Sequence, residues 1–146
     1  MTTARSGLSA GGSSIRGVFG GGYVPTISNV IDYVTIASTG DATDFGDLSA
    51  ATIVPAGASS NVRHVIAGGY VPPGATISNI IQYITIASTG DASDFGDLLA
   101  ATRAATGTGA LTRGIFGGGY APGIQNVIQY VTIASTGNSA DFGDLS

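Results

Sequence analysis

A short acidic motif is the first candidate for chemistry in the sequence. The motif DxxDFGD spans residues 41–47 and recurs at 91–97 and, in part, at 141–144. Calcium loops alternate their oxygen ligands more closely and end in a bidentate acid. The metal-binding Asp-Phe-Gly of phosphoryl-transfer enzymes works beside a lysine, and this chain has none. We therefore predict no metal or cofactor here, and we expect these Asp residues to cap turn N–H groups or to pair with Arg of an adjacent strand or repeat.

His64 is the only histidine, and the equivalent positions of the other repeats hold Gly17 and Gly114. A zinc site or a catalytic triad needs partner side chains around the imidazole. The chain offers no Cys, no Glu and no second His. We therefore predict no catalytic residue and expect His64 to be a partly exposed strand residue.

Glycine clusters precede three tyrosines, Tyr23, Tyr70 and Tyr120. A phosphate-binding loop would continue into GK[ST] and a helix, and neither follows here. The glycines therefore predict sharp turns or close packing. The three tyrosines end strands beside loops of variable length, so we expect them mainly to pack. They are also the best candidate residues for binding a sugar ring.

Composition and charge exclude several classes of protein. All nine acidic residues are Asp and all five basic residues are Arg, which gives a net charge of −4. Nucleic-acid binding requires a clustered basic surface, so it is not expected. No apolar run is long enough for a signal sequence or a membrane span, so we expect a soluble protein without membrane contact. The lack of Cys leaves the redox compartment open.

The chain repeats itself three times. The string at residues 126–145 has close copies at 29–48 and 79–98, which divides a single domain, residues 1–146, into repeats of about 1–50, 51–100 and 101–146. Each repeat predicts four short strands: one of small residues, one ending in Gly-Gly, one centred on Tyr and one begun by Phe. Abundant Gly, Thr, Ser, Val and Ile favour strands and tight turns over helices. The predicted class is all-β.

Four antiparallel strands form one blade of a β-propeller, and the repeat resembles the kelch repeat. Kelch repeats combine an apolar strand, a Gly-Gly pair, a Tyr, a later aromatic residue and an Arg. The matching structural anchors are Gly21, Gly22, Tyr33 and Phe45, then Gly68, Gly69, Tyr83 and Phe95, then Gly118, Gly119, Tyr130 and Phe142. Two departures are Phe in place of the usual Trp, and Ile53 where the next repeat has Arg103. The resemblance implies a kelch-like propeller with three four-stranded blades.

The amino-acid sequence of the repeat is also similar to tandem repeats in virion or tail-fibre-like proteins of tailed phages, especially cyanophages. That resemblance implies a non-catalytic structural module, associated with a virion if the protein is natural, which contacts a glycan or another virion protein. A designed or reconstructed symmetric propeller with no native ligand is an alternative. A kelch-like enzyme of the galactose oxidase type would need Tyr, His and Cys ligands, so an enzyme is not expected.

Repeat number predicts self-association. Propellers close with roughly four to eight blades, so three blades form an open arc with apolar end faces, and such faces drive association. We expect a homodimer in which two chains close a six-bladed ring. A filament would form instead if the end faces do not close.

Overall fold

The computed structural model describes residues 3–72 and 76–146, and these residues contain strands and no helix. The all-β prediction is confirmed. The first repeat forms β1 (Ser9–Gly12), β2 (Arg16–Gly20), β3 (Tyr23–Val24), β4 (Thr26–Ile27), β5 (Val30–Thr35) and β6 (Thr43–Asp47). The second repeat forms β7 (Ala56–Ser59), β8 (Arg63–Ala67), β9 (Tyr70–Val71), β10 (Thr76–Ile77), β11 (Ile80–Thr85) and β12 (Ser93–Asp97). The third repeat forms β13 (Thr106–Gly109), β14 (Arg113–Gly117), β15 (Val127–Thr132) and β16 (Ala140–Asp144).

Each repeat builds one antiparallel four-stranded sheet. Sheet 1 has the order β1-β2-β5-β6, sheet 2 the order β7-β8-β11-β12 and sheet 3 the order β13-β14-β15-β16. The pairs β3–β4 and β9–β10 form small separate hairpins in the loops that the sequence shows to be variable. Sheets of this kind are compatible with a β-propeller-like fold.

A β-bulge explains the Phe-Gly pair of the acidic motif. In sheet 1, Ile31 pairs with Gly46 and Asp32 pairs with Asp44, which leaves Phe45 as the extra residue. Gly46 has a φ of +145°, a conformation that L side chains rarely adopt. The bulge leaves the Phe45 ring buried, edge-on to Tyr33 at a centroid distance of 5.9 Å. The same bulge recurs in sheets 2 and 3.

Two apolar clusters hold the three sheets together. Val18, Ile31, Phe45 and Leu48 of sheet 1 pack against Ile66, Ile84 and Ile86 of sheet 2. The other face of sheet 2, which includes Val65, Ile81, Phe95 and Leu98, packs against Phe116, Val131 and Ile133 of sheet 3. We call the face of each sheet that carries the Phe of the bulge the front face, and the opposite face the back face. Both contacts therefore join a front face to a back face.

The first strand of each sheet requires small residues because these strands approach one another closely. A side chain at Gly107 of β13 would make its Cβ overlap the Gly57 carbonyl oxygen of β7. A Cβ at Gly109 would likewise meet the backbone of Ser59. The strand of small residues predicted in each repeat is confirmed, and its composition follows from this contact between sheets.

Candidate functional site

The arginine that begins the second strand of each sheet links neighbouring sheets. Arg16 stacks on Tyr33 of its own sheet, 4.5 Å from the ring centroid, and its Nη1 donates a 2.9 Å hydrogen bond to the carbonyl of Ile86 in sheet 2. Arg63 repeats this arrangement on Tyr83 and donates to the carbonyl of Ile133 in sheet 3. The cation is thereby oriented by an aromatic ring while it satisfies a carbonyl of the next sheet.

Arg113 of sheet 3 stacks on Tyr130 in the same way, with 4.4 Å between the guanidinium and the ring centroid. Among the described residues, nothing accepts a hydrogen bond from its side chain. Arg113 is exposed, whereas Arg16 and Arg63 are partly buried. The third arginine is therefore oriented like the other two but lacks the neighbouring sheet.

The loop between the third and fourth strands binds the outer strand of the preceding sheet. In sheet 2, the N–H of Gly90 donates to Phe45 and the N–H of Ala92 donates to Asp47, each over 2.8 Å. The Asp91 carboxylate accepts a 3.0 Å hydrogen bond from the N–H of Asp47. Asn138 of sheet 3 accepts the equivalent bond from Asp97. The acidic motif thus supplies a cap on the neighbouring sheet, and the N–H that Asp91 caps ends strand β6 instead of lying in a turn as predicted.

The alternative expectation, that the motif pairs with Arg, is not met within the described part of the chain. The ion pair observed there joins Arg5 to Asp32, which lies outside the motif, over 2.5 Å with both side chains buried. Position 32 corresponds to Gln82 and Gln129 in the other repeats. Gln82 accepts a hydrogen bond from the N–H of Ser49, and Gln129 accepts one from Leu99. Sequence reasoning missed these residues, although each lies directly before the Tyr of its repeat.

The expectation that His64 is partly exposed is wrong, because the side chain is fully buried. Its Nε2 lies 3.0 Å from Ser9 Oγ, and its Nδ1 lies 2.9 Å from Ser59 Oγ. The space for the ring comes from Gly11 and Gly57, since a Cβ at either position would overlap it. Burial lowers the pKa of His64 from 6.5 to about 4. A neutral imidazole enclosed in this way joins sheets 1 and 2 and is closed to a substrate.

The tyrosines after the glycine clusters lie at the start of the variable loops. Tyr23 and Tyr120 are exposed, by 48 % and 42 %, and Tyr70 is partly buried. Each forms a backbone bridge to the segment that leads into its sheet, at Ser6, Ile53 and Arg103 respectively. Both glycines before each tyrosine have positive φ, as expected of a sharp turn. The Arg103 guanidinium lies 4.8 Å from the Tyr120 ring centroid and 5.8 Å from that of Tyr70.

Two sheet faces have no partner sheet among the described residues. The front face of sheet 3 carries Phe142, which is 52 % exposed, whereas the equivalent Phe45 and Phe95 are each 2 % exposed. Leu145 on the same face is also half exposed. The back face of sheet 1 carries Ile36, which is 58 % exposed, whereas the equivalent Ile86 is 1 % exposed. Of the other anchor residues, Tyr130 shares this unpartnered front face with Phe142, and the rest lie in turns or in the contacts between sheets.

No protein-family model and no curated protein matches this chain. Within residues 3–72 and 76–146, no group of three or more His, Cys, Asp and Glu side chains is placed to hold a metal ion. The same residues include no helix long and apolar enough to cross a membrane.

Proposed function

We propose that this chain is a non-catalytic structural and binding module that assembles with a second copy of itself into a closed β-propeller. In the proposed assembly, the front face of sheet 3 covers the back face of sheet 1 of the partner, and the reverse contact closes the ring. Three blades from each chain give six, which lies in the range of about four to eight in which propellers close. The two chains are related by a two-fold axis along the central channel.

The observation that carries the proposal is the equivalence between the unpaired faces and the paired ones. Phe142 and Leu145 on sheet 3 correspond to Phe45 and Leu48, which are buried against the next sheet. Ile36 on sheet 1 corresponds to Ile86, which is buried against the preceding sheet. The chain therefore contains two examples of the contact that its end faces would make with each other.

Polar groups on sheet 3 and sheet 1 are also complementary, because each corresponds to a group that forms a hydrogen bond between neighbouring sheets within the chain. Arg113 is stacked and unpartnered in the described chain, so it is ready to donate to the carbonyl of Ile36 of a second copy, as Arg16 donates to Ile86. Asp41 occupies the position of Asp91 and is ready to cap the N–H of Asp144, as Asp91 caps Asp47. Unpaired backbone groups at a sheet edge favour such pairing. These bonds give the contact a fixed direction, from sheet 3 to sheet 1.

The biological setting that we propose is a phage virion or fibre, on the basis of the similarity of the repeat to tail-fibre-like repeats. There the ring would present its variable loops, with Tyr23, Tyr70 and Tyr120, to a glycan or to another virion protein. Repeated loops suit weak contacts that gain strength by multivalency. Near-identical sheets suit such a role better than catalysis, which requires an asymmetric site.

The assembly mass tests the proposal directly. Native mass spectrometry and light scattering in dilute buffer should give about 29 kDa, twice the chain mass of 14.3 kDa. Phe142→Asp on the front face of sheet 3 should return the mass to that of one chain. Val62→Asp is a matched control, because Val62 is an apolar residue with 61 % exposure in the turn between β7 and β8 of sheet 2, and both faces of that sheet are already packed within the chain. A wild-type mass of 14.3 kDa would refute the assembly, and a mass that grows steadily with concentration would replace the ring with an open filament.

A further inference from the structure

Arg103 differs from the other four arginines in what surrounds its guanidinium. Arg5 is paired with Asp32, and Arg16 and Arg63 donate to carbonyls of the next sheet. Arg113 lies on the proposed end face. Arg103 lies within the chain beside Tyr70 and Tyr120, and no described residue accepts a hydrogen bond from its side chain. Within residues 3–72 and 76–146, its guanidinium N–H donors are therefore available to a ligand.

The surroundings hold Arg103 in place without neutralising it. The backbone N–H of Arg103 donates to the carbonyl of Tyr120 over 3.1 Å, and the backbone N–H of Tyr120 donates to the carbonyl of Arg103 over 2.9 Å. Gly119 lets the two segments approach, since a Cβ there would lie 2.8 Å from the Arg103 carbonyl oxygen. The side chain is partly buried between tyrosines of successive repeats. A cation fixed in this way loses little conformational entropy when it binds an anion.

We propose that Arg103, Tyr70 and Tyr120 form a binding site for a carboxylate-bearing sugar, such as a uronic acid within an oligosaccharide. The inference deepens the proposed binding role and rests on it, but the site lies within one chain and does not depend on ring closure. The planar guanidinium matches a carboxylate through two parallel hydrogen bonds. The exposed part of Tyr120 offers an apolar surface and a hydroxyl, which suit a pyranose ring with one apolar face and polar edges.

The repeats themselves predict one such site per chain. The position of Arg103 holds Ser6 in the first repeat and Ile53 in the second. Ile53 pairs with Tyr70 as Arg103 pairs with Tyr120, so by the equivalence of the repeats we expect it to lie between Tyr23 and Tyr70. Neither Ser6 nor Ile53 carries a cation, so the pair Tyr23 and Tyr70 provides an internal comparison that has the aromatic rings but lacks the charge.

Isothermal titration calorimetry with an oligogalacturonate and with its neutral galactose counterpart tests the site. The wild-type chain should bind the acidic oligosaccharide with one site per chain and should bind the neutral one much more weakly. Arg103→Ile, which installs the residue of the second repeat, should weaken acidic binding by roughly 10- to 100-fold, as expected for the loss of a charge-assisted pair. Arg103→Lys keeps the charge without the planar fork and should recover only part of the affinity.

A gain-of-site variant guards against a general loss of folding. Ile53→Arg should create a second site between Tyr23 and Tyr70, and it should raise the stoichiometry from one to two per chain. Unchanged affinity in Arg103→Ile, or equal affinity for the acidic and neutral sugars, would overturn the assignment to Arg103. Equal binding of an Asp-rich peptide would overturn the assignment to sugars. Assembly mass is measured on the same samples, so failure of this site is distinguishable from failure of the ring.

Discussion

Replacing Phe142 with Ala tests the end-face contact at its most apolar point. The side chain is 52 % exposed in the chain, and the equivalent Phe95 is 2 % exposed beneath the next sheet. The proposed contact would therefore bury about half of the Phe142 side chain. The same calculation applies at both interfaces of a two-chain ring.

The expected magnitude follows from the transfer of that surface. Full burial of a large apolar side chain contributes roughly 1.5–3 kcal/mol, so half contributes roughly 1 kcal/mol per interface. Two interfaces give roughly 2 kcal/mol, which corresponds to a weakening of the dimer Kd by about 30-fold. Phe142→Ala also removes the edge contact with Tyr130, worth roughly 1 kcal/mol to the stability of the single chain.

Sedimentation equilibrium over a dilution series measures the dimer Kd, and urea unfolding at the lowest concentration measures the stability of the single chain. Phe95→Ala is the matched control, because the same residue type at the equivalent position is buried inside the chain. That control should lose roughly 3–5 kcal/mol of folding stability. A dimer Kd for Phe142→Ala within threefold of wild type would refute the proposed interface, whatever the unfolding data give.

Two further predictions concern the glycine bulge and the buried histidine. Gly96→Ala should destabilise the single chain by roughly 1–3 kcal/mol more than Gly143→Ala in urea unfolding. The two glycines have similar φ, but only a Cβ at Gly96 would meet the next sheet, 2.5 Å from the Gly137 carbonyl oxygen. Equal losses of stability in the two variants would assign the effect to backbone strain alone. Because the folded pKa of His64 lies near 4 and the unfolded value is 6.5, its contribution is fully present above pH 6.5 and is lost as pH falls toward 4, by up to roughly 3 kcal/mol. His64→Gly, which installs the residue of the other repeats, should flatten that part of the pH dependence of unfolding, and an unchanged slope between pH 4 and 6.5 would contradict the assignment.

Local patterns predicted the strands because each depends on neighbours in sequence. The Gly-Gly pairs, the Tyr strand and the turn before Phe45 all recur with the repeat, and the structure gives the predicted strand order in each sheet. Boundaries moved slightly: the strand expected to begin at Phe45 begins at Thr43, since the bulge places Phe45 within a paired strand. Repetition therefore reinforced signals that one copy would give only weakly.

The features that escaped prediction depend on contacts between repeats. His64 is buried because Gly11 of the first repeat and Gly57 of the second leave room for its ring, and no local pattern reports on that distance. The pair Arg5–Asp32 likewise joins residues 27 positions apart. The environment of Arg103 depends on tyrosines from two successive repeats lying on either side of it. Placing such residues requires the packing of the sheets, which the repeat pattern alone does not give.

The contact between the front face of one sheet and the back face of the next bears on how a chain of this kind evolves. Duplication of one repeat in the gene adds a sheet that already carries both a front face and a back face, so a longer array needs no new interface. Substitution at a single face position is more constrained, since the altered side chain must still fit an unaltered partner face. Change in repeat number is thus structurally easier than divergence of one repeat.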